Sequence, residues 1–414
     1  MKALPILLLA TASLWSLTLD EALERAAANS PEIRKAQSEV RYAQSGELGA
    51  EAAFHPTLDA GYNWRDVDKT TTFSYSPAYH YSLSAKYNLF SGFRDKAVMD
   101  AKGYATEAQK LLLQSTMADV KLNVVNAYTG YLKAEKAVGT QQEALASLER
   151  AYNDTKVRYE QGVVAKNELL LIDVQRLNAE QALTSAKSAL KRARSALSRT
   201  LGGPLEPGDK VQDFTVEVPA PQSFDALLEQ TYADRSELRA LYKLRDALDA
   251  QYTAATGNFY PRVDVQGDYL VNDKSLSVPG IGTTQYKETF TTTINVSWNL
   301  YNGRADEAAR RGVMEQLDGQ NADIEAMKLD LYTQLTDALE TYKVALSARD
   351  VAARAKESAE ENYRITADRY EYGEADTLTL LTARADLTAA NNAYNNAFYD
   401  LYAAYATIER VSGE

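Results

Sequence analysis

Polar and apolar residues alternate one by one along four short segments of the chain. These segments are residues 57–67, 79–90, 262–271 and 288–300. A period of two places successive side chains on opposite faces of a β-strand. Each segment therefore predicts a strand of about ten residues with one apolar and one strongly polar face. About ten residues is also the length that a tilted strand needs to cross a bilayer.

Two much longer segments have the spacing of apolar positions that is typical of an α-helix. They run from about residue 93 to residue 160 and from about residue 304 to residue 371, and neither contains proline. At 1.5 Å per residue, each would form a helix about 100 Å long. Shorter helical patterns begin at Pro31 and Ser236 and return after Gly162 and Gly373. The chain thus predicts two long helices, four shorter helices and four strands.

The second half of the chain repeats the landmarks of the first half. The matched segments are Phe54-His55-Pro56 with Phe259-Tyr260-Pro261, Asn88-Leu89-Phe90-Ser91-Gly92 with Asn299-Leu300-Tyr301-Asn302-Gly303, and Arg158-Tyr159 through Gly162 with Arg369-Tyr370 through Gly373. The first pair differs by 205 residues and the other two by 211. We therefore predict two tandem copies of one unit, residues 17–202 and 223–414, joined by a Gly- and Pro-containing linker at residues 203–222.

The chain begins like an exported protein. Lys2, an apolar stretch and several small residues predict a secretory signal peptide over residues 1–16. No later apolar run approaches the roughly 18 residues of a membrane helix. With zero Cys, the sequence offers neither disulfides nor a lipidated cysteine. Membrane attachment would therefore depend on the four strands.

Composition and motifs argue against several other classes of protein. The net charge of -12 disfavours binding to nucleic acid, which requires a basic face. The histidines, His55 and His80, have no Cys or His companion at metal-ligand spacing. Phosphate loops and nucleophile elbows are also missing from the sequence. We therefore expect no enzyme activity, no cofactor and no metal site.

Four strands are too few to close a barrel, and the open edge of a sheet is not tolerated in lipid. A cyclic assembly of two, three or four copies would give eight, twelve or sixteen strands. The alternative is a small soluble sheet packed on helices, which would show the same alternation. The length of the strands and their repetition favour the membrane.

The duplicated Phe-x-Pro corners, the Asn-Leu-Phe-Ser-Gly and Asn-Leu-Tyr-Asn-Gly corners and the Arg-Tyr-Glu-x-Gly turns together resemble the TolC family of outer-membrane efflux proteins. The resemblance covers nearly the whole chain. It implies a mainly α-helical protein with a transmembrane β-barrel portion, assembled as a homotrimer around one twelve-stranded barrel in the lipid of the outer membrane. A long helical extension would reach into the periplasm.

The resemblance also implies a function and partners. The chain would be the exit duct of a tripartite efflux pump or a type I secretion system, working with a periplasmic adaptor protein and an inner-membrane transporter. The alternative is that the chain is itself a periplasmic coiled-coil adaptor or scaffold, since such proteins also use long helical hairpins. An adaptor has no need of four alternating strands.

The resemblance further implies a gate at the helix ends near Gly162 and Gly373. In the family, the closed entrance resembles a latch, in which a Tyr before the second Gly and a neighbouring Arg bind an acidic residue after the first Gly. Tyr370 and Glu168 occupy the Tyr and acidic positions here, whereas Ala375 occupies the Arg position. The candidate gate residues are Arg158, Tyr159, Gly162, Glu168, Arg369, Tyr370, Gly373, Glu374 and Asp376.

The residues around the candidate latch leave two questions open. Glu374 and Asp376 could supply charge that the Arg position lacks. Alternatively, Tyr370 is packed between helices and Glu168 stabilises the first turn of its own helix through the helix dipole.

Overall fold

The computed structural model describes residues 16–66, 68, 78–205, 209–214, 218–272, 276–277, 284–285 and 287–413. The predicted signal peptide lies outside the described residues except for Ser16, and parts of the predicted linker also lie outside them. Within the described part, the chain forms eight α-helices and eight strands. The helices are α1 Leu19–Asn29, α2 Pro31–Glu51, α3 Arg94–Glu160, α4 Lys166–Thr200, α5 Phe224–Asp234, α6 Ser236–Thr256, α7 Ala305–Glu371 and α8 Thr377–Ser412. The strands are β1 Ser16–Leu17, β2 Thr57–Arg65, β3 Ala78–Phe90, β4 Lys210–Val211, β5 Arg262–Asn272, β6 Leu276–Ser277, β7 Thr284–Gln285 and β8 Glu288–Ser297.

The described residues contain six shorter helices rather than four, because α1 and α5 precede the helices that begin at Pro31 and Ser236. Thr18 caps α1 through a capping box with Glu21. The helix then ends at Ser30, where the following proline favours extended backbone. At the corresponding place in the second copy, Arg235 separates α5 from α6, although no proline follows it.

The long helices α3 and α7 have 67 residues each. Neither contains a proline, and alanine, leucine, glutamate and lysine favour helix throughout both. The helices α2 and α6 also share one length, 21 residues. The two halves of the chain therefore place these four helices at corresponding positions.

Four strands form one antiparallel sheet in the order β2-β3-β5-β8. In the first hairpin Thr57 lies opposite Lys86, and in the second Arg262 lies opposite Ser297. These positions are related by the same offsets, 205 and 211, that relate the sequence landmarks. The two hairpins therefore share one register.

The fourth strand is shorter than predicted, since β8 ends at Ser297 and not at residue 300. Beyond it, the indole nitrogen of Trp298 donates to the carbonyl oxygen of Phe259 at 3.1 Å. The backbone nitrogen of Tyr301 donates to the side chain of Asn299 at 3.2 Å. With these bonds the chain leaves the sheet and turns toward α7.

The chain divides into two compact units. The first comprises residues 1–36, 113–236 and 328–414, and its largest apolar core surrounds Val124, Leu132 and Leu197. The second comprises residues 37–112 and 237–327 and contains the four-stranded sheet together with a small core around Ala108, Leu111 and Ala240. Among the described residues, no helix combines the length and apolar character needed to span a membrane.

Candidate functional site

The candidate gate lies in the first unit, where α3 turns into α4 and α7 turns into α8. Gly162 and Gly373 have φ angles of 74° and 76°, in the left-handed region. Around Gly162, backbone N–H groups donate from Gly162 to Tyr159 and from Val163 to Arg158, both at 2.9 Å. Glu374 likewise donates to Arg369 at 2.8 Å. Both ends are Schellman caps, in which glycine adopts the left-handed conformation with little strain.

Tyr370 joins α7 to α3 just before the second of these caps. Its hydroxyl lies 3.0 Å from Oγ1 of Thr155, which is completely buried. The guanidinium of Arg158 lies over the Tyr370 ring, 5.2 Å from its centroid. A cation over an aromatic face is attractive. Tyr370 is thus held both by its hydroxyl and by its ring.

A second contact of the same kind lies two turns away along the same helices. The hydroxyl of Tyr363 lies 2.9 Å from Oγ of Ser147. The guanidinium of Arg384, on α8, lies 5.1 Å from the centroid of the Tyr363 ring. Two tyrosine–hydroxyl contacts therefore connect α3 with α7. We call the four residues Ser147, Thr155, Tyr363 and Tyr370 the tyrosine ladder.

Glu168 lies in the first turn of α4, where a carboxylate stabilises the helix N-terminus. Its Oε2 accepts a hydrogen bond from Oγ1 of Thr377 at 3.0 Å, which joins the start of α4 to the start of α8. Asp376 caps α8 by accepting from the backbone nitrogen of Thr379 at 2.7 Å. Hydrogen bonding from the Thr379 side chain, and secondly from its backbone N–H, lowers the pKa of Asp376.

The candidate gate residues thus fall into separate contacts. Arg369 lies 3.9 Å from the Glu374 carboxylate across the second cap, and Arg158 lies over Tyr370. Within the chain, the hydroxyl of Tyr370 contacts Thr155 and the carboxylate of Glu168 contacts Thr377, so that the two residues have different partners. The latch between them stays a prediction for the assembled protein.

Sequence reasoning missed the partners of these residues. Tyr363 could have been found, because it precedes Tyr370 by seven residues and so lies on the same helix face. Thr155 and Thr377 carried no such signal, since serine and threonine occur along all of these helices without a distinctive spacing.

The second feature of functional interest is the four-stranded sheet, whose two faces differ. One face carries apolar and aromatic side chains that no other part of the described chain covers, such as Leu58 at 72% exposure and Phe290 at 70%. The other face is polar, and there Asp268 accepts from Ser84 at 2.7 Å and from Gln266 at 2.9 Å. An uncovered apolar face of this kind marks a surface that meets a membrane or another protein.

Among the described residues, no group of three or more His, Asp or Glu side chains lies close enough together to hold a metal ion.

Three comparisons place the chain among known proteins. The model of one family, described as outer membrane efflux protein, matches residues 22–203 and again residues 227–414. No sequence among the curated proteins matches the chain. The family match covers both halves of the chain and agrees with the TolC-type resemblance of the duplicated corners.

Solved structures of channels share the fold. CusC, whose structures concern folding and transmembrane channel formation, is 16% identical with a TM-score of 0.81, over 95% of this chain and 92% of that chain. The CmeC outer membrane channel of Campylobacter jejuni is 16% identical with a TM-score of 0.80, over 95% and 85%. The outer membrane protein VceC of Vibrio cholerae is 16% identical with a TM-score of 0.78, over 95% and 96%.

These likenesses confirm the expected fold class, mainly α-helical with a small antiparallel sheet. The family match extends over most of the chain and occurs once in each half. The chain therefore belongs to the outer membrane efflux protein family, and it is a passive outer-membrane channel with a periplasmic helical part, not an enzyme.

Proposed function

We propose that this chain is the exit duct of a tripartite efflux pump or type I secretion system, and that three copies form the duct. The observation that carries this proposal is the four-stranded sheet, with its uncovered apolar face and two edge strands. In water such a face would promote aggregation, whereas in lipid it is in its preferred solvent.

The edges of the sheet support closure by other copies of the chain. The strands alternate in direction from β2 to β8, so that β2 and β8 run antiparallel to each other. If β8 of one copy pairs with β2 of the next, that pairing is antiparallel as well. A ring of such sheets has no free edge, which is the condition for a sheet in lipid. Three copies give twelve strands and leave a lumen lined by the polar face.

The proposed partners are a periplasmic adaptor protein and an inner-membrane transporter that supplies the energy. Support for them comes from membership of an efflux family, because a passive duct needs an energised pump to move solutes outward. The other reading of the sequence, in which this chain is itself the adaptor, is not favoured by that membership. Solutes or polypeptides would pass along the lumen without a shaped binding pocket.

We further propose that the helix ends around Gly162 and Gly373 form the gate of the duct. The tyrosine ladder and the contact between Glu168 and Thr377 support this proposal, because they join the two helical hairpins near their turns. For Tyr370 to bind Glu168 in a latch, the Tyr370 hydroxyl would have to leave Thr155 and the Glu168 carboxylate would have to leave Thr377. Each neutral-to-charged hydrogen bond is worth about 1.5–3 kcal/mol, and three copies act together.

The proposal is tested by purifying the full chain in detergent and measuring the mass of the native complex, and then its conductance in a planar bilayer. We expect three protomers and a small, steady conductance. A mass of one or two protomers, or recovery of the chain as a soluble periplasmic monomer, would contradict the duct.

A further inference from the structure

Within one copy, α6 of the second half of the chain packs against α3 of the first half. Ala108 and Leu111 of α3 share a core with Ala240 of α6. Close by, Nζ of Lys243 lies 2.6 Å from the Glu107 carboxylate and 5.5 Å from the centroid of the Tyr104 ring. This contact joins the two repeats inside the chain.

The same contact is tightest at the corner beside the sheet. A methyl group added to Gly92 would lie 2.4 Å from the carbonyl oxygen of Gly257, and one added to Gly257 would lie 2.9 Å from the carbonyl oxygen of Gly92. Both glycines are buried. The ring of Phe93 meets that of Tyr260 edge to face, with centroids 6.1 Å apart. Only glycine allows the two backbones to approach this closely.

The chain contains the two halves of this contact a second time, but it does not bring them together. By the repeat offsets, Gly303 corresponds to Gly92 and Ala52 corresponds to Gly257. The φ angles of Gly303 and Arg304, both 71°, reproduce those of Gly92 and Phe93, 67° and 68°. A methyl group on Gly303 would meet no atom within 4 Å, and Ala52 is exposed. The second contact surface is therefore present, but no described residue of the same chain occupies it.

The helices show the same difference one step further from the sheet. Ala101 of α3 and Ala247 of α6 are 5% and 3% exposed. Their positions on the two helices correspond, because Gly257 contacts Arg94 at one end of the contact and Lys243 contacts Tyr104 and Glu107 at the other. Since α3 and α6 run antiparallel, Ala247 of α6 and Ala101 of α3 both lie between these two ends of the contact, at the same height along the helices.

The equivalents of these two alanines have changed in opposite senses. Gly312 of α7 corresponds to Ala101, and a methyl group there would meet no atom within 4 Å. Tyr42 of α2 corresponds to Ala247, and it is 83% exposed. A glycine inside a helix is less favourable than alanine, and a ring that stays exposed gains little from burial within one copy. Gly312 and Tyr42 thus have complementary shapes, like the hole and the knob of knobs-into-holes packing.

We propose that α2 of one copy packs along the first turns of α7 of a neighbouring copy, with the Tyr42 ring seated on Gly312 and with Ala52 and His55 against Gly303 and Arg304. The partner is a second copy of this chain, and the inference rests on the proposed trimeric duct. The contact between copies repeats the contact inside each copy, with a tyrosine–glycine pair in place of an alanine–alanine pair. Since Ala52 carries a methyl group that Gly257 lacks, the corner between copies is wider than the corner within a copy.

Disulfide cross-linking tests this contact directly, because the chain has zero native cysteines. The variant Tyr42→Cys with Gly312→Cys is oxidised in the assembled protein and examined on a denaturing gel without reductant. We expect covalently linked dimers and trimers. The matched pair Ala101→Cys with Ala247→Cys should cross-link within single chains. The pair Tyr42→Cys with Met314→Cys, which places the second thiol on a different face of α7, should not link chains.

A size exchange provides a test that does not depend on thiol chemistry. Gly312→Leu fills the hole and should lower the yield of assembled protein about tenfold, because overpacking of a well-packed contact is destabilising. Leucine favours helix more than glycine does, so that this loss cannot come from helix propensity. Adding Tyr42→Ala should restore assembly, whereas Tyr42→Ala alone should weaken it only slightly.

The outcomes separate this inference from the proposed function. If the native mass shows three protomers but Tyr42→Cys with Gly312→Cys links no chains, the contact is wrong and the duct stands. If Tyr42→Ala does not rescue Gly312→Leu, the seating of the ring is wrong. If the native protein is not a trimer, the proposed duct fails first.

Discussion

The residues that end the long helices show how one backbone angle positions a functional segment. Gly162 and Gly373 hold φ angles of 74° and 76°, and no atom lies within 4 Å of the place where a methyl group would stand on either. An L-residue in this conformation costs about 1–2 kcal/mol even where space is free. Their role is therefore conformational and not one of close packing.

We expect Gly162→Ala and Gly373→Ala each to destabilise the protein by about 1 kcal/mol, because alanine resists the left-handed angle. The measurement is the midpoint of thermal unfolding. Gly139→Ala is the matched control, since Gly139 lies inside α3 with open space around it. That change should raise the midpoint, because alanine favours helix by about 0.5–1 kcal/mol over glycine. Equal effects at all three sites would contradict the assignment.

The tyrosine ladder gives a second prediction at this scale. Tyr370→Phe removes the hydroxyl that contacts Thr155 and leaves the ring in place beneath Arg158. If the contact between Tyr370 and Thr155 helps to hold the gate shut, single-channel conductance should rise. The rise should be larger when Glu168→Gln also weakens the contact with Thr377. Trimer stability should be unchanged in the single variant.

Tyr363→Phe is the control for the gate, because it removes the equivalent hydroxyl further from the turns. An increase in conductance from Tyr363→Phe alone would place the constriction elsewhere. Unchanged conductance in the combined variant of Tyr370 and Glu168 would remove both residues from the gate.

Among the elements, the short segment at residues 210–214 contacts several larger elements of the first unit. Its strand β4 pairs in parallel with β1. Next to it, Asp213 accepts from Lys136 of α3 at 2.6 Å and from the hydroxyl of Tyr399 of α8 at 2.7 Å. Burial alone would raise the pKa of the Asp213 carboxyl, but the hydrogen bonds from Lys136 and Tyr399 outweigh it and lower the pKa. Through one carboxylate the segment therefore joins α3 and α8.

This lowered pKa predicts a dependence of stability on pH. A carboxyl with a lower pKa in the folded than in the unfolded protein stabilises the fold above its unfolded pKa, about 3.9 for Asp. The stabilisation is lost as the pH falls through the folded pKa. The thermal midpoint of Asp213→Asn should therefore lie below that of the natural protein at neutral pH, with the difference shrinking below about pH 4. A difference that is independent of pH would contradict the role of the charge.

The elements also show what could be predicted from the sequence. The long helices and both hairpins were predictable, because each carries a periodicity over many residues and occurs twice. The helices α1 and α5 were missed, since each is only 11 residues long and a single residue separates it from the next helix. The pairing of β1 with β4 could not be predicted, because two residues have no period and their partner lies almost two hundred positions away.

For the whole molecule, the repeat is the source of the strongest prediction. Inside the chain, β3 of the first half pairs with β5 of the second half, and Ser84 lies opposite Asp268. The repeat offsets carry this pair to Asn295 of β8 and Asn63 of β2. Those residues lie on opposite edges of the sheet, and we expect them to face each other where two copies meet.

The test is a pair of cysteines at Asn63 and Asn295, oxidised in the membrane-embedded protein. We expect cross-links between chains, because the register of β3 and β5 places their equivalents side by side. The pair Ser84→Cys with Asp268→Cys should cross-link within single chains, and Asn63→Cys with Thr289→Cys, six residues out of register, should not cross-link. Equal cross-linking of the matched and shifted pairs would show that the strands do not meet in this register.

The common register of the two hairpins has a consequence for how the proposed ring of copies can widen. Six separate single repeats would form a sixfold ring with one kind of joint, and every substitution would change all six joints at once. In the proposed trimer, fusion of the repeats in pairs would make the joints alternate, three with alanine against alanine and three with tyrosine against glycine. Selection can therefore adjust one set without touching the other. A ring that loosens at only one set of joints opens with a three-lobed outline instead of a round one.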